Sequence, residues 1–184
     1  MARNQADEMP EDEAALVEAA RQDPAAFSAL YRRYVTPVYR YFHKRLGSAK
    51  DAEDLTSQVF MEVLEGLVHY RERGNFAAWL FTIARRKAIV EYRRKRPTLF
   101  LDDVENSSGS VEDPLERLIQ DEQLHRMAAV VAELNEDQRE LLRLRFTAGL
   151  AYAEIGALLG RSEAAVKMAI QRLLRHMYEK WEVK

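Results

Sequence analysis

Residues 152–177 read "YAEIGALLGRSEAAVKMAIQRLLRHM". Ile155, Leu158 and Leu159 give its first half an apolar side, and Gly160 can take the left-handed conformation that ends a helix. Ser162 can cap the helix that follows, with Glu163 favourably placed near its positive N-terminus. On that second helix Val166, Ile170, Leu173, Leu174 and Met177 are expected inside. Arg161, Ala164, Lys167, Met168, Gln171, Arg172 and Arg175 are then left outside. Two helices joined by a short turn containing Gly form the helix-turn-helix signature, whose second helix enters the major groove. Small Ala164 and Ala165 permit close approach, while Lys, Gln and Arg suit base edges and phosphates. The same pattern also fits a plain helical hairpin with a solvated charged face. The rest of the chain must decide.

The 184 residues, 47% of them hydrophobic, suffice for one moderate domain or two small ones. Seven Gly and five Pro against abundant Ala, Leu, Glu and Arg favour helices throughout. The absence of cysteine excludes disulfides, thiolate zinc sites and cysteine nucleophiles, and suits a reducing cytosol. No apolar run approaches the ~20 residues that span a bilayer, and the acidic N-terminus is unlike a signal peptide. A soluble, cytoplasmic protein with no membrane insertion is expected. The formal net charge of −2 conceals a segregated distribution. Residues 1–24 hold seven acids against Arg3 and Arg21, and residues 97–122 hold eight against Arg117. Between them, "ARRKAIVEYRRKR" sets seven bases against Glu91.

Helical signals are closely spaced. Residues 1–21 form an acidic segment, polar and aperiodic over residues 1–13, and are expected to be disordered. Asp23 before Pro24 is an N-cap with a first-turn proline, and Phe27, Leu30, Tyr31, Tyr34, Val38, Tyr41 and Phe42 form one stripe. Pro37 inside this run predicts a kink or a second helix start. Gly47 closes the segment, and Ser48 with Asp51 resembles a capping box. The next helix places Leu55, Val59, Val63 and Leu67 on one line, with Asp54, Gln58, Met61 and Glu65 sharing another face. Asn75 can cap "FAAWLFTIARRKAIVEYRRKR", which Pro97 ends. Residues 98–113, with Ser107, Ser108, Gly109 and Ser110 in a row, read as a flexible acidic linker. Asp113-Pro114 then starts a second domain, and Asn135 with Gln138 opens a further helix in it. The expectation is an all-α protein of two small helical domains, residues 22–97 and 114–184.

The basic run also admits two readings. Cations are favoured at a helix C-terminus, but seven over three turns exceed that need. Beside Tyr92, Trp79, Phe76 and Phe81 they suit phosphate contacts and base stacking on single strands. Catalytic constellations are missing. Glu122 and His125 form a single Glu-x-x-His pair, whereas bundle metal sites need a second pair and further Glu residues. There is no Gly-rich phosphate loop, nucleophile elbow or metal-binding His pair. Neither an enzyme nor a cofactor is expected.

Taken in order, "DAEDLTSQVF", "GNFAAWLFTIARRKAIVEYRR" and "LNEDQRELLRLRFTAGLAYAEIGALLGRSEAAVKMAIQRLLRHM" resemble the extracytoplasmic-function (ECF) sigma factors of bacterial RNA polymerase, over nearly all of residues 22–178. The resemblance implies sigma domain two at residues 22–97 and sigma domain four, the helix-turn-helix domain, at residues 114–184. It implies core RNA polymerase (its β′ and β subunits) and promoter DNA as partners, with an anti-sigma factor as a further candidate. Asp54, Gln58, Met61 and Glu65 would face polymerase. Arg71, Arg73, Asn75 and Phe76 would surround an extruded base of the −10 element, with Tyr92 beside them. Arg85, Arg86, Arg93, Arg94 and Arg96 would hold the melted strand's backbone. Arg161, Ser162, Ala164, Lys167, Met168, Gln171, Arg172 and Arg175 would read −35 duplex, and the acidic linker would thread through polymerase. Many relatives carry Gln-Glu where this chain has Ser57-Gln58, and Asn where it has Arg86. The rival expectation is a helix-turn-helix repressor or activator that binds a palindromic operator without polymerase.

Overall fold

A computed structural model describes residues 10–71, 75–95 and 126–182, and among them there are helices and connecting turns but no strand. The linker expected at residues 98–113 lies outside the described residues. The first unit comprises α1 (Pro10–Ala19), α2 (Pro24–Leu46), α3 (Ala49–Gly66) and α4 (Phe76–Lys95). In the second, residues 126–132 are helical. They are followed by α5 (Glu136–Leu142), a π-helical turn (Arg143–Thr147), α6 (Tyr152–Leu159) and α7 (Glu163–Glu182).

The caps fall where the sequence puts them. Asp23 accepts from the Ala25 N–H with Pro24 in the first turn of α2, and Gly47 closes α2 at φ +72°. Ser48 accepts from the Asp51 N–H at 3.3 Å, and Asn135 and Gln138 form a reciprocal capping box on α5. Pro37 neither breaks α2 nor starts a second helix. Core residues lie on both sides of it, Leu30 and Tyr34 before, Val38, Tyr41 and Phe42 after, so both halves of the helix are anchored.

The first core is aromatic. Tyr41 meets Phe42 and Phe81 edge to face, and Phe76 packs among Tyr34, Tyr70 and Trp79. Leu55, Val59, Val63 and Leu67 all point into this core. Tyr31 is 40% exposed, although its ring still contacts Phe60. Residues 10–19 correct the expectation of a disordered N-terminal segment: they form α1, which packs on α2 through the fully buried Val17. Its Glu13 accepts a hydrogen bond from the Tyr34 hydroxyl. Burial, reinforced by Glu13, pushes the Tyr34 phenol well above its ordinary range.

The two units touch. α2 packs on the π-helical turn and α4 packs on α6. At the centre of that contact Glu140 of α5 is 5% exposed. It accepts from the Tyr41 hydroxyl at 2.7 Å and pairs with Arg45, while Arg143 of its own unit lies 3.0 Å away. Arg85 Nε stands 3.5 Å from the same carboxylate. Burial, then the charge of Glu140, raises the Tyr41 phenol.

Candidate nucleic-acid and docking surfaces

The turn between α6 and α7 is built by close backbone approach. The Arg161 N–H donates to the Gly156 carbonyl at 2.8 Å, and Gly160 takes φ +66° as the left-handed end of α6. The Ser162 hydroxyl then accepts from the Ala165 N–H at 3.2 Å and starts α7. The approach to α6 is fixed as well: Arg145 donates to the Leu150 carbonyl and lies over the Tyr152 ring, 4.5 Å from its centroid. The Ala151 N–H donates to Glu154, whose carboxyl burial raises above its usual range, with that hydrogen bond opposing the shift.

On α7, Val166, Ile170 and Leu173 are buried, as read from the sequence. Leu174 is not: it is 42% exposed, and Met177 is only half-buried. Arg161, Ser162, Ala164, Lys167, Met168, Gln171, Arg172 and Arg175 are all exposed. They form the turn and the face of α7 opposite its buried side, with no ion pair from its four cations to a carboxylate among the described residues. Such a face offers small residues at its leading end and unneutralised donors behind them.

Asn75 precedes α4 and caps it: its side-chain Oδ1 accepts from the Ala78 N–H at 3.0 Å. Phe76 corrects an expectation. At 1% exposure it is sealed in the aromatic core, because "FAAWLF" is apolar on every side and its first ring falls inward. Arg71 is exposed, whereas Arg73 and Arg96 lie outside the described residues. Arg86 and Lys87 both pair with Glu62 of α3. Slight burial of Glu62 opposes a shift that the hydrogen bonds from Lys87 and Arg86 win, so its carboxyl is held below the usual range. Arg94 pairs with Glu91 at 2.7 Å, and Tyr92 and Arg93 are exposed.

Two open clefts flank α4 where α6 approaches it. One, about 530 Å³, is lined by His69, Arg71, Asn75, Trp79, Thr82 and Ala157 of α6, among others. The other, about 370 Å³, is lined by Arg85, Arg86, Ile89, Val90, Arg93 and Leu158 of α6, with Thr82. Of the base-facing candidates Arg71 and Asn75 thus line the first cleft, and of the backbone-holding ones Arg85, Arg86 and Arg93 line the second.

On α3 the expected face is present: Asp54, Gln58, Met61 and Glu65 are all exposed. The sequence reading missed its apolar share. Leu64 is 55% exposed beside Met61 at 64%, and Val68, in the turn just past α3, is 65% exposed. These residues lie off the Leu55-Val59-Val63-Leu67 line, and that offset is the signal that could have found them. Three exposed apolar side chains thus stand beside Asp54, Gln58 and Glu65, the apolar-and-polar mixture that docking surfaces use.

No group of three or more His, Cys, Asp or Glu able to hold a metal occurs among the described residues, and Glu122 and His125 lie outside them. No described helix is long and apolar enough to cross a membrane.

The arrangement matches known proteins. Residues 30–98 match the family profile of Sigma-70 region 2, and residues 124–177 that of Sigma-70, region 4. The chain is 36% identical over 169 residues to the ECF RNA polymerase sigma factor BldN of Streptomyces coelicolor, covering 87% of this chain and 62% of that protein. It is 29% identical over 149 residues to the RNA polymerase sigma factor YlaC of Bacillus subtilis, covering 78% of this chain and 84% of that one. The fold is that of CnrH, solved with the cytosolic domain of CnrY: TM-score 0.65 at 23% identity, over 94% of this chain and 98% of that one. It is likewise that of the sigma factor RpoE from Bartonella quintana, solved with the anti-sigma factor NepR: TM-score 0.57 at 21% identity, over 86% and 98% of the two chains. With both sigma regions present in order, the chain belongs to the ECF sigma factors, non-catalytic initiation factors of RNA polymerase.

Proposed function

We propose that this chain is a promoter-specificity subunit working in the cytoplasm: it binds core RNA polymerase, reads a −35 element as duplex, and captures the melted non-template strand of a −10 element. The observation that carries the proposal is the exposed surface of the turn and of α7, on which all eight candidate −35 residues stand, with Val166, Ile170 and Leu173 buried on the other side of the helix. Arg161, Lys167, Gln171 and Arg175 are its main readers. The exposed apolar residues of α3 and the turn after it (Met61 and Leu64, then Val68), beside Asp54, Gln58 and Glu65, supply the docking contact with the β′ subunit.

Strand opening works by capture. Unstacking costs a few kcal/mol per base, and a cleft plus a cationic surface offsets it. Arg71, Asn75 and Trp79 line the cleft for an extruded base, and Arg85, Arg86 and Arg93 line the one beside it; these three arginines, with Arg94 and Arg96 further along the sequence, hold the backbone. Phe76 supports the cleft from inside. The acidic linker threads through polymerase, where its charge stands in for nucleic acid. The relatives solved with CnrY and with the anti-sigma factor NepR support an anti-sigma partner here as well.

The test is reconstituted transcription with purified core polymerase on fragmented genomic DNA, read by sequencing the RNA made. Discrete start sites sharing two upstream elements are expected. Initiation at no promoter, together with a gel shift of palindromic duplex DNA in the absence of polymerase, would overturn this in favour of a free-standing repressor or activator.

A further inference from the structure

We propose that Arg21, in the turn after α1, is a positioning residue for promoter opening: its guanidinium holds the peptide that joins Tyr70 to Arg71, and so sets Arg71 at the cleft that captures an extruded base. The inference rests on the functional reading above for what that cleft binds.

Arg21 is built into the first domain from its own side of the contact. Its backbone N–H donates to the Glu18 carbonyl at 3.3 Å, and its Nη1 pairs with the Glu18 carboxylate at 3.0 Å. Two residues on, the Asp23 N–H donates to the Ala19 carbonyl at 2.9 Å, so the connection from α1 to α2 is a closed turn. Val17 and Ala20 are buried, and α1 packs on both α2 and α4. The Arg21 side chain is only 23% exposed and its Nε is buried, unlike a cation lying free on the surface. Its Nη2 donates to the carbonyl of Tyr70, 49 positions away. A charged donor makes such a bond about twice as strong as a neutral one.

What that bond fixes follows from the planarity of the peptide. The Tyr70 carbonyl and the Arg71 N–H lie in one rigid plane. Tyr70 is anchored on its other side too: its N–H donates to the Gly66 carbonyl at 2.9 Å, and its ring centroid stands 5.7 Å from that of Phe76 and 4.7 Å from that of Trp79. With Tyr70 so held, the plane leading to Arg71 takes its direction from Arg21. Arg71 is exposed and lines the same cleft as Asn75 and Trp79, whereas Arg21 does not line it and acts through Arg71. α1 reaches the cleft by a second route. Glu13 accepts from the Tyr34 hydroxyl, the Tyr34 ring lies 5.5 Å from that of Phe76, and Phe76 packs on Trp79. A cleft that must hold a base out of the stack gains from being set in advance, because ordering it at the moment of capture would consume binding energy.

The test is a double-mutant cycle in holoenzyme, on a promoter carrying 2-aminopurine in the non-template strand of its −10 element, whose fluorescence rises as a base leaves the stack. Arg21→Met keeps the aliphatic stem and removes the donors, and Arg21→Lys keeps a charge without the planar fork. Arg21→Met is expected to slow the rise about tenfold and Arg21→Lys about threefold, with binding to core polymerase and to closed duplex unchanged. With Arg71→Ala also present both losses should vanish, because the residue through which Arg21 acts is gone. Should Arg21→Met not fold, Arg21→Lys carries the cycle alone. A merely structural role predicts losses that follow the thermal midpoint and keep the same factor whether or not Arg71 is there. The inference is overturned if the Arg21 variants open at the parent rate, or if their losses multiply with that of Arg71→Ala. Opening by Arg71→Ala alone at the parent rate would overturn the reading of the cleft, and the role of Arg21 with it. Failure of the functional reading as a whole shows elsewhere, as absence of initiation by the parent chain.

Discussion

Gly156 has no room for a side chain. A Cβ there would stand 2.6 Å from the Arg161 carbonyl oxygen, a backbone atom that cannot swing away. Gly160 has open space around it and is constrained only by its positive φ of 66°. Replacement of each by Ala therefore tests two different costs. Gly156→Ala forces α6 and the turn apart and is expected to cost about 1–3 kcal/mol. Gly160→Ala meets only backbone strain of about 1 kcal/mol. In thermal unfolding Gly156→Ala should lower the midpoint more, and the reverse order would show that the turn is not held by this close approach. At the same scale, the sequence separates the centre of an apolar face from its edge only in part, as on α7, where Val166, Ile170 and Leu173 lie inside but Leu174 is 42% exposed. It fails where the helix is apolar all round. Nothing local says which ring of "FAAWLF" turns inward, so the pattern turns Phe76 toward DNA when its surroundings are Tyr34, Tyr70 and Trp79.

Among the elements, α1 is the one that charge concealed. Its ten residues, "PEDEAALVEA", are acidic enough to resemble a solvated tail, and a helix this short is marginal in isolation. Its stability comes from tertiary docking: Val17 is fully buried, Ala20 just beyond the helix is 5% exposed, and Glu13 accepts from Tyr34. Docking of this kind depends on what α2 offers some twenty residues later, which no local period reports. Full burial of a side chain of this size contributes about 1.5–3 kcal/mol. Deletion of residues 1–19 is therefore expected to destabilise the first domain by about 2 kcal/mol or more in urea unfolding, with faster proteolysis of α2. A shortened chain as stable as the full one would return the segment to a dispensable tail. The caps at Asp23, Ser48, Asn75, Asn135 and Ser162 were legible because each is closed within two or three residues.

Across the whole molecule, legibility falls with separation along the chain. Tyr41 and Glu140 meet across 99 positions, and no pattern in either stretch anticipates the other. The proposed division of labour between α4 and α7, by contrast, is read from the family resemblance together with charge and exposed face, and it is open to a direct test in holoenzyme. If α7 anchors duplex and α4 captures melted strand, damage to each should stop initiation at a different step. Arg93→Glu with Arg94→Glu reverses charge on the exposed end of α4, away from the core. That holoenzyme should still bind closed duplex promoter but fail to make −10 thymines reactive to permanganate, and a template already melted there should restore transcription. Lys167→Ala with Gln171→Ala removes side chains from the exposed face of α7. It should weaken duplex binding by about tenfold or more for each base-reading side chain removed, while the fraction opened once bound stays normal. The signatures are opposite because capture acts after duplex has been found: pre-melting removes the cost that α4 offsets but supplies nothing that α7 reads. Two variants failing at the same step, or a pre-melted template rescuing both equally, would mean that α4 and α7 do not divide promoter recognition in this way.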